Sequence, residues 1–131
     1  MARFPFLLEY ADAALLLMRI LVALVFVTSG WSHVKDPVAR GKSIELSPGL
    51  TRFIGLAELA GGVGVALGVL PQIAAAGLIL IMLGAIQKKV VSWKTGIWGK
   101  HGTDGWHYEL LFVTMCLVII TTGGGRYVLF P

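Results

Sequence analysis

Charged side chains are scarce in this sequence: Asp, Glu, Lys and Arg make up 14% of its 131 residues, against 56% hydrophobic ones. A soluble domain carries nearer a quarter. That scarcity excludes an ordinary water-facing surface, and a mean hydropathy of +0.82 makes lipid the expected solvent. Cysteine is almost missing. With Cys116 alone there is no intramolecular disulfide, no C-x-x-C redox pair and no thiolate metal cluster, and this residue reads as a small buried core side chain. The three histidines, His33, His101 and His107, never take the i, i+4 spacing of a helical metal site, so no metal is expected. Haem-ligation and flavin motifs are also lacking, so any redox reaction here would draw its electrons from another chain, and no covalently bound cofactor is expected.

What is present is a succession of apolar stretches. They predict an all-α integral membrane protein, a single four-transmembrane-helix bundle over residues 1–131 made of two antiparallel hairpins, with spans at about 13–31, 48–70, 73–91 and 107–125. At ~20 residues per crossing, four spans leave no room for a soluble catalytic domain in these residues. The leader sets Arg3 against Glu9 and Asp12, and Arg19 interrupts the first apolar run, so this segment is expected to be a retained span and not a cleaved signal. Ser47-Pro48 gives an N-cap followed by proline at the first helical position. Pro71-Gln72 forms a short turn that makes the second and third spans antiparallel neighbours, and Gly123-Gly124-Gly125 ends the last helix.

The segment from Ser92 to Trp106 mixes lysines with Trp93, Trp98 and Trp106. It is expected to lie along the membrane as a short amphipathic stretch, with these tryptophans and Trp31 as interface anchors. Lys88 and Lys89 are expected to snorkel to the headgroups. Eight basic residues fall in the first and third connections, while Arg3 and Arg126 lie on the opposite side. By the positive-inside rule both termini then lie outside, in the periplasm of a bacterial inner membrane. In that setting the formal charge of +4 marks cytoplasmic loops and not a nucleic-acid surface.

The retained intramembrane charges mark the candidate site. An ionised side chain at mid-bilayer costs ~2.5–3.5 kcal/mol even on the permissive scale, so Arg19 and Glu58 are expected to pair. Counted from Trp31 and Pro48, they lie ~18 Å and ~15 Å from the same membrane face. Asp12, Arg19, Phe26 and His33 recur every seven residues, a stripe that should face the bundle interior. Gly55, Gly61 and Gly62 around Glu58 should let another backbone approach. Glu109 opens the last span, with His107 before it and Cys116 on about the same face. If both glutamates are ionised, Arg19 balances one and the other needs a loop cation, water or a proton. Two roles fit such an Arg–Glu pair: fixing helix register, or handling a substrate, a quinone or protons. For Glu109 the helix dipole alone is also sufficient cause.

Arg19, the exit from Gly30 to Lys35, the stretch Gly55–Gly68 around Glu58, Tyr108-Glu109, and Gly123-Gly124-Gly125-Arg126-Tyr127 together resemble the DoxX family of small bacterial membrane proteins. The resemblance covers nearly the whole chain. It implies a four-helix membrane fold related to subunits of thiosulfate:quinone oxidoreductase and to partners in membrane oxidoreductase complexes. This chain departs from the family in having Gly124 where proline is common, and in a longer, tryptophan-rich loop before the last span. The expected function is an accessory or structural membrane subunit, not catalytic alone, of a larger complex that is linked to quinone. The alternatives are a subunit that binds quinone or handles protons, and a small transporter. Membrane lipid and other membrane subunits are the expected partners, quinone or lipid the expected ligand, and His33, His107 and Arg126 the accessory site residues.

Overall fold

The computed structural model describes residues 2–100 and 103–131; His101 lies outside them. A 3₁₀ turn, Pro5–Tyr10, leads into α1 (Ala11–Lys35), followed by α2 (Pro37–Ile44), α3 (Pro48–Leu67), α4 (Pro71–Gln87) and α5 (His107–Thr122). A π-helical turn, Lys88–Ser92, continues α4, and two-residue strands β1 (Gly99–Lys100) and β2 (Thr103–Asp104) form a small antiparallel hairpin before α5. Three helical segments, Pro5–Lys35, Pro48–Leu67 and Pro71–Ser92, are long and apolar enough to cross a membrane. The chain is therefore a multi-pass membrane protein. The fourth expected span is shorter: α5 has 16 residues, or ~24 Å, where the hydrocarbon core is ~30 Å thick.

Helix boundaries follow the local chemistry. The Ser47 hydroxyl accepts from the Leu50 N–H, and Pro48 occupies the first turn of α3, where its missing N–H costs nothing. The same device, Asp36 followed by Pro37, starts α2 within a connection expected to be a plain loop; the Asp36 carboxylate accepts from the Ala39 N–H. α3 ends at Gly68, left-handed at φ 71°. A side chain there is doubly excluded, since a Cβ would lie 2.6 Å from the Val128 Cα and 2.7 Å from Arg19 Nη2. α5 ends at Gly123, as expected.

One expectation is corrected. α1 does not leave the bundle at Trp31 but continues one more turn to Lys35. The stretch after Ser92 is not helical and folds back on itself, with Thr95 N–H bonded to the Lys89 carbonyl and His107 N–H to the Ile97 carbonyl, because a non-helical segment must place its backbone groups somewhere.

α1 packs along α3 and α4 along α5, and the two pairs join mainly through α3 and α4. Val22, Phe26, Val65, Ala75, Leu78, Met82, Cys116 and Ile119 form the buried core. The pairs close tightly near the α3–α4 turn, where Gly61 meets Leu78 and Gly64 meets Ala74. Gly77 and Gly84, farther along α4, have open space beside them. Toward the end that carries the first connection and the hairpin, a space opens between the helices, lined by residues of α1, α3, α4 and α5.

Candidate functional site

Arg19 and Glu58 do not meet. The fully buried Arg19 donates from Nε to the Val65 carbonyl at 2.8 Å, from Nη2 to Ala66 at 3.0 Å, and from Nη1 to Gly124 at 3.2 Å and Tyr127 at 2.7 Å. Val65 and Ala66 belong to the last turn of α3, where carbonyls lack helical partners and the helix dipole is negative. The cation is therefore compensated by backbone, not by a carboxylate. Depth explains the difference. Because α1 runs on to Lys35, Arg19 lies ~24 Å from its end instead of ~18 Å, level with Val65 and ~10 Å along α3 from Glu58.

The Arg19 cluster also fastens the segment after α5. Leu129 N–H and Phe130 N–H bond the Leu67 and Gly68 carbonyls, and Leu70 N–H bonds Phe130 O. Arg126 N–H reaches Asp12 Oδ1 at 2.9 Å, with a longer 3.5 Å contact between the two side chains. Arg126 thus ties the chain end to α1 and lies far from Glu58 in the fold.

Glu58 belongs to a different cluster. Gly30 and Gly55 bring α1 and α3 together so closely that a Cβ on Gly30 would lie 2.7 Å from the Gly55 carbonyl oxygen. This approach carries His33 to Glu58, Nδ1 to Oε2, at 3.7 Å. That contact is too long for a hydrogen bond, and His33 Nδ1 instead donates to the Ser29 carbonyl at 2.7 Å. A carbonyl only accepts, so Nδ1 is the nitrogen that carries hydrogen. Glu58 is 3% exposed, yet its Oε2 has no hydrogen-bond partner among the described residues.

The facing wall repeats the pattern with other residues. Glu109, in the first turn of α5 and 6% exposed, accepts Lys89 Nζ on Oε1 at 2.7 Å, while its Oε2 has no partner among the described residues. The loop cation required if both glutamates are ionised is thus Lys89, a residue expected to snorkel outward. Lys89 also sits 5.8 Å from the centre of the Tyr108 ring. Between the walls lies a cavity of about 980 Å³ lined by both glutamates and by Phe26, Ser29, His33 and Phe112. Arg40 of α2, Lys88, Lys89 and Asp104 border it toward the connecting segments, and the Arg40 Nε is buried without a partner among the described residues.

The cavity therefore gathers Glu58, Glu109 and His33 from the expected site and leaves out Arg19, His107 and Arg126. His107 holds the hairpin segment instead, donating from Nδ1 to the Ile97 carbonyl at 2.8 Å beside the Trp98 ring. Trp31 and Trp98 project from the surface, Trp106 is half-buried before α5, and Trp93 is half-buried on the cavity wall. Ser29, Arg40, Lys89 and Tyr108 are site-lining residues that sequence reasoning missed. The one available signal was Lys89, a second cation after Lys88 at the end of an apolar span that also had to be answered by an acid. Among the described residues no three His, Cys, Asp or Glu side chains gather as a metal site.

The DoxX family profile matches residues 14–93. That segment holds most of α1, all of α2, α3 and α4, and the π turn. Arg19, His33, Glu58 and Lys89 thus lie inside the match, and Tyr108 and Glu109 beyond it. No curated protein and no solved structure matches the chain. With more than half of its length matched, the chain belongs to the DoxX family.

Proposed function

We propose that this DoxX-family chain is a subunit of a larger quinone-linked oxidoreductase in the bacterial cytoplasmic membrane, and that its cavity takes the quinone headgroup. One observation carries the reading: two buried carboxyl groups, each with an oxygen that has no protein partner among the described residues, line a single space of about 980 Å³. A buried polar atom left unpaired costs ~1–3 kcal/mol, so these oxygens are matched by water or by polar groups of a ligand.

The lining suits a flat ring with oxygens on its rim and an apolar tail. Phe112 stands between the rings of Phe26 and Tyr108, at 5.7 Å and 5.0 Å between centres. Leu24, Leu80 and Ile81 extend the apolar surface. Polar groups converge at few points, as in small-molecule sites generally. When bound, quinone supplies two-electron, two-proton chemistry that this chain has no group to perform, so its electrons come from a partner subunit. Within the chain, the Lys89 ammonium fixes Glu109 by a charge-assisted bond, and Glu58, beside the His33 ring, takes up or releases a proton at its carboxyl group.

Eight basic side chains in or beside the first and third connections support cytoplasmic loops and periplasmic termini, with α5 as the fourth crossing. That orientation places the cavity toward the cytoplasm.

Decylubiquinone titrated onto the purified chain should quench Trp93 in a variant that keeps only this tryptophan. Replacing both glutamates with glutamine should weaken binding about tenfold, the equivalent of one buried hydrogen bond of ~1.4 kcal/mol. Unchanged affinity would reject the quinone site and leave the chain as a lipid-filled accessory subunit. Co-purification with stoichiometric partners tests the subunit role, and quinone turnover by the chain alone would refute it.

A further inference from the structure

Two cations at the cavity rim are not matched by acids. Lys89 is paired with Glu109 at 2.7 Å, but among the described residues no ion pair joins Arg40 or Lys88 to a carboxylate. The Arg40 carbonyl accepts from the Ser43 hydroxyl at 2.7 Å, yet its guanidinium donates to no protein group among the described residues. Its Nε is buried, so the donors left for a ligand are the terminal nitrogens Nη1 and Nη2.

Arg40 and Lys88 belong to one rim. Gly41, next to Arg40, is pressed against the start of α3: a Cβ there would lie 2.6 Å from the Leu46 carbonyl oxygen and 3.0 Å from Thr51 Oγ1. Lys88 Nζ donates at 2.8 Å to the carbonyl of Glu45, the C-cap of α2, little more than one helical turn beyond Arg40. That bond uses one of three ammonium donors and leaves the charge in place. The level suits a lipid headgroup. Counted from Pro71, Lys88 lies ~26 Å along α4, near the far edge of a hydrocarbon layer ~30 Å thick. Farther in, the lining turns apolar. Leu24, Leu50 and Leu80 line the cavity and are 59%, 45% and 72% exposed, too much for walls of an enclosed space, so this lining continues into the surface that meets acyl chains. The acids near the rim are Asp104, exposed on the hairpin, and Glu109, which Lys89 neutralises.

We propose that Arg40 and Lys88 hold the phosphate of an anionic phospholipid, whose acyl chain runs along the apolar lining. The Arg40 fork offers its Nη edge to two phosphate oxygens, and Lys88 adds a point charge. A phosphodiester with an uncharged headgroup keeps the negative charge that the two cations attract, whereas a choline headgroup brings a third cation to the same place. The proposal goes beyond the quinone reading and does not depend on it: Glu58 lies ~15 Å from the start of α3, deeper than the rim.

The test uses the full chain in the variant that keeps only Trp93, which stands on the cavity wall, in nanodiscs of phosphatidylcholine and phosphatidylglycerol. Bromine is placed on the acyl chains of one lipid or the other, and no quinone is added. Trp93 quenching should show a preference of about twentyfold for phosphatidylglycerol, and Arg40→Gln and Lys88→Gln should each lower it about fivefold, the scale of one basic side chain at an anionic surface. Lys35 and Lys42 are exposed cations at the same end that do not line the cavity, and replacing both with glutamine should keep the preference. Equal quenching by the two lipids overturns the proposal, and needs no variant at Arg40 or Lys88 to be read. An equal loss on replacing Lys35 and Lys42 overturns it too, since the lipid would then be a loose annulus. Displacement of the brominated lipid by inorganic phosphate, and not by chloride of the same ionic strength, would reveal a site for free phosphate and is equally fatal. Each of these failures leaves the quinone titration unaffected.

Discussion

The two ends of the bundle treat buried charge in opposite ways. At the α3–α4 turn, Arg19 is fully buried and makes four hydrogen bonds to main-chain carbonyls of α3 and of the segment after α5. Toward the other end, Glu58 and Glu109 are nearly as buried, yet each keeps an oxygen without a protein partner among the described residues. A saturated charge joins elements, because every bond it makes ends on the protein itself. An unsaturated one leaves capacity for something that comes and goes. The Arg19 end is therefore read as the clasp of the fold and the glutamate end as its working site.

The comparison is broken most easily at its strongest point. Arg19→Leu removes all four bonds and orphans carbonyls at two chain segments, so it should cost ~3–5 kcal/mol, the range for disrupting a buried charged network. Denaturant unfolding in detergent would register this, and a loss under 1 kcal/mol would refute the clasp. Gly68→Ala should come next, at ~1–3 kcal/mol, because it combines a left-handed backbone with contacts to Val128 and Arg19. Gly30→Val, which pushes α1 from α3 at the His33–Glu58 level, should cost a similar amount and also weaken quinone-analogue binding, whereas Gly68→Ala should leave binding intact. Glu58→Gln should shift stability by less than ~1 kcal/mol, since its Oε2 has no protein bond to lose; destabilisation equal to that of Arg19→Leu would erase the distinction between the ends. Arg126→Ala should be smallest, within about 0.5 kcal/mol, because its side-chain contact with Asp12 is long and exposed.

Much of this architecture is legible before any coordinates. The apolar runs locate three membrane-crossing helices within a few residues, Ser47-Pro48 and Gly123 place helix ends, and the heptad stripe puts Arg19, Phe26 and His33 inside. The Gly55 groove beside Glu58 is filled by α1 as its spacing implies. The site was only half legible. Glu58, Glu109 and His33 could be named because burial makes lone charges conspicuous in apolar runs. Their partners could not, since Lys89 meets Glu109 through a π turn and a folded-back hairpin that leave no periodic trace. Arg19 was assigned to the wrong partner because its depth was counted from Trp31, one turn short of the helix end.

By itself the sequence determined which segments enter lipid and which side chains stay within them, because hydropathy and charge cost act residue by residue. The tertiary structure alone decided what each retained charge does. That depends on helix length, crossing level and the direction of carbonyls from distant segments, and these are properties of the packed bundle. The bundle gives Arg19 a complete set of acceptors, and it leaves Glu58 and Glu109 lining one cavity, each with an oxygen unmatched among the described residues.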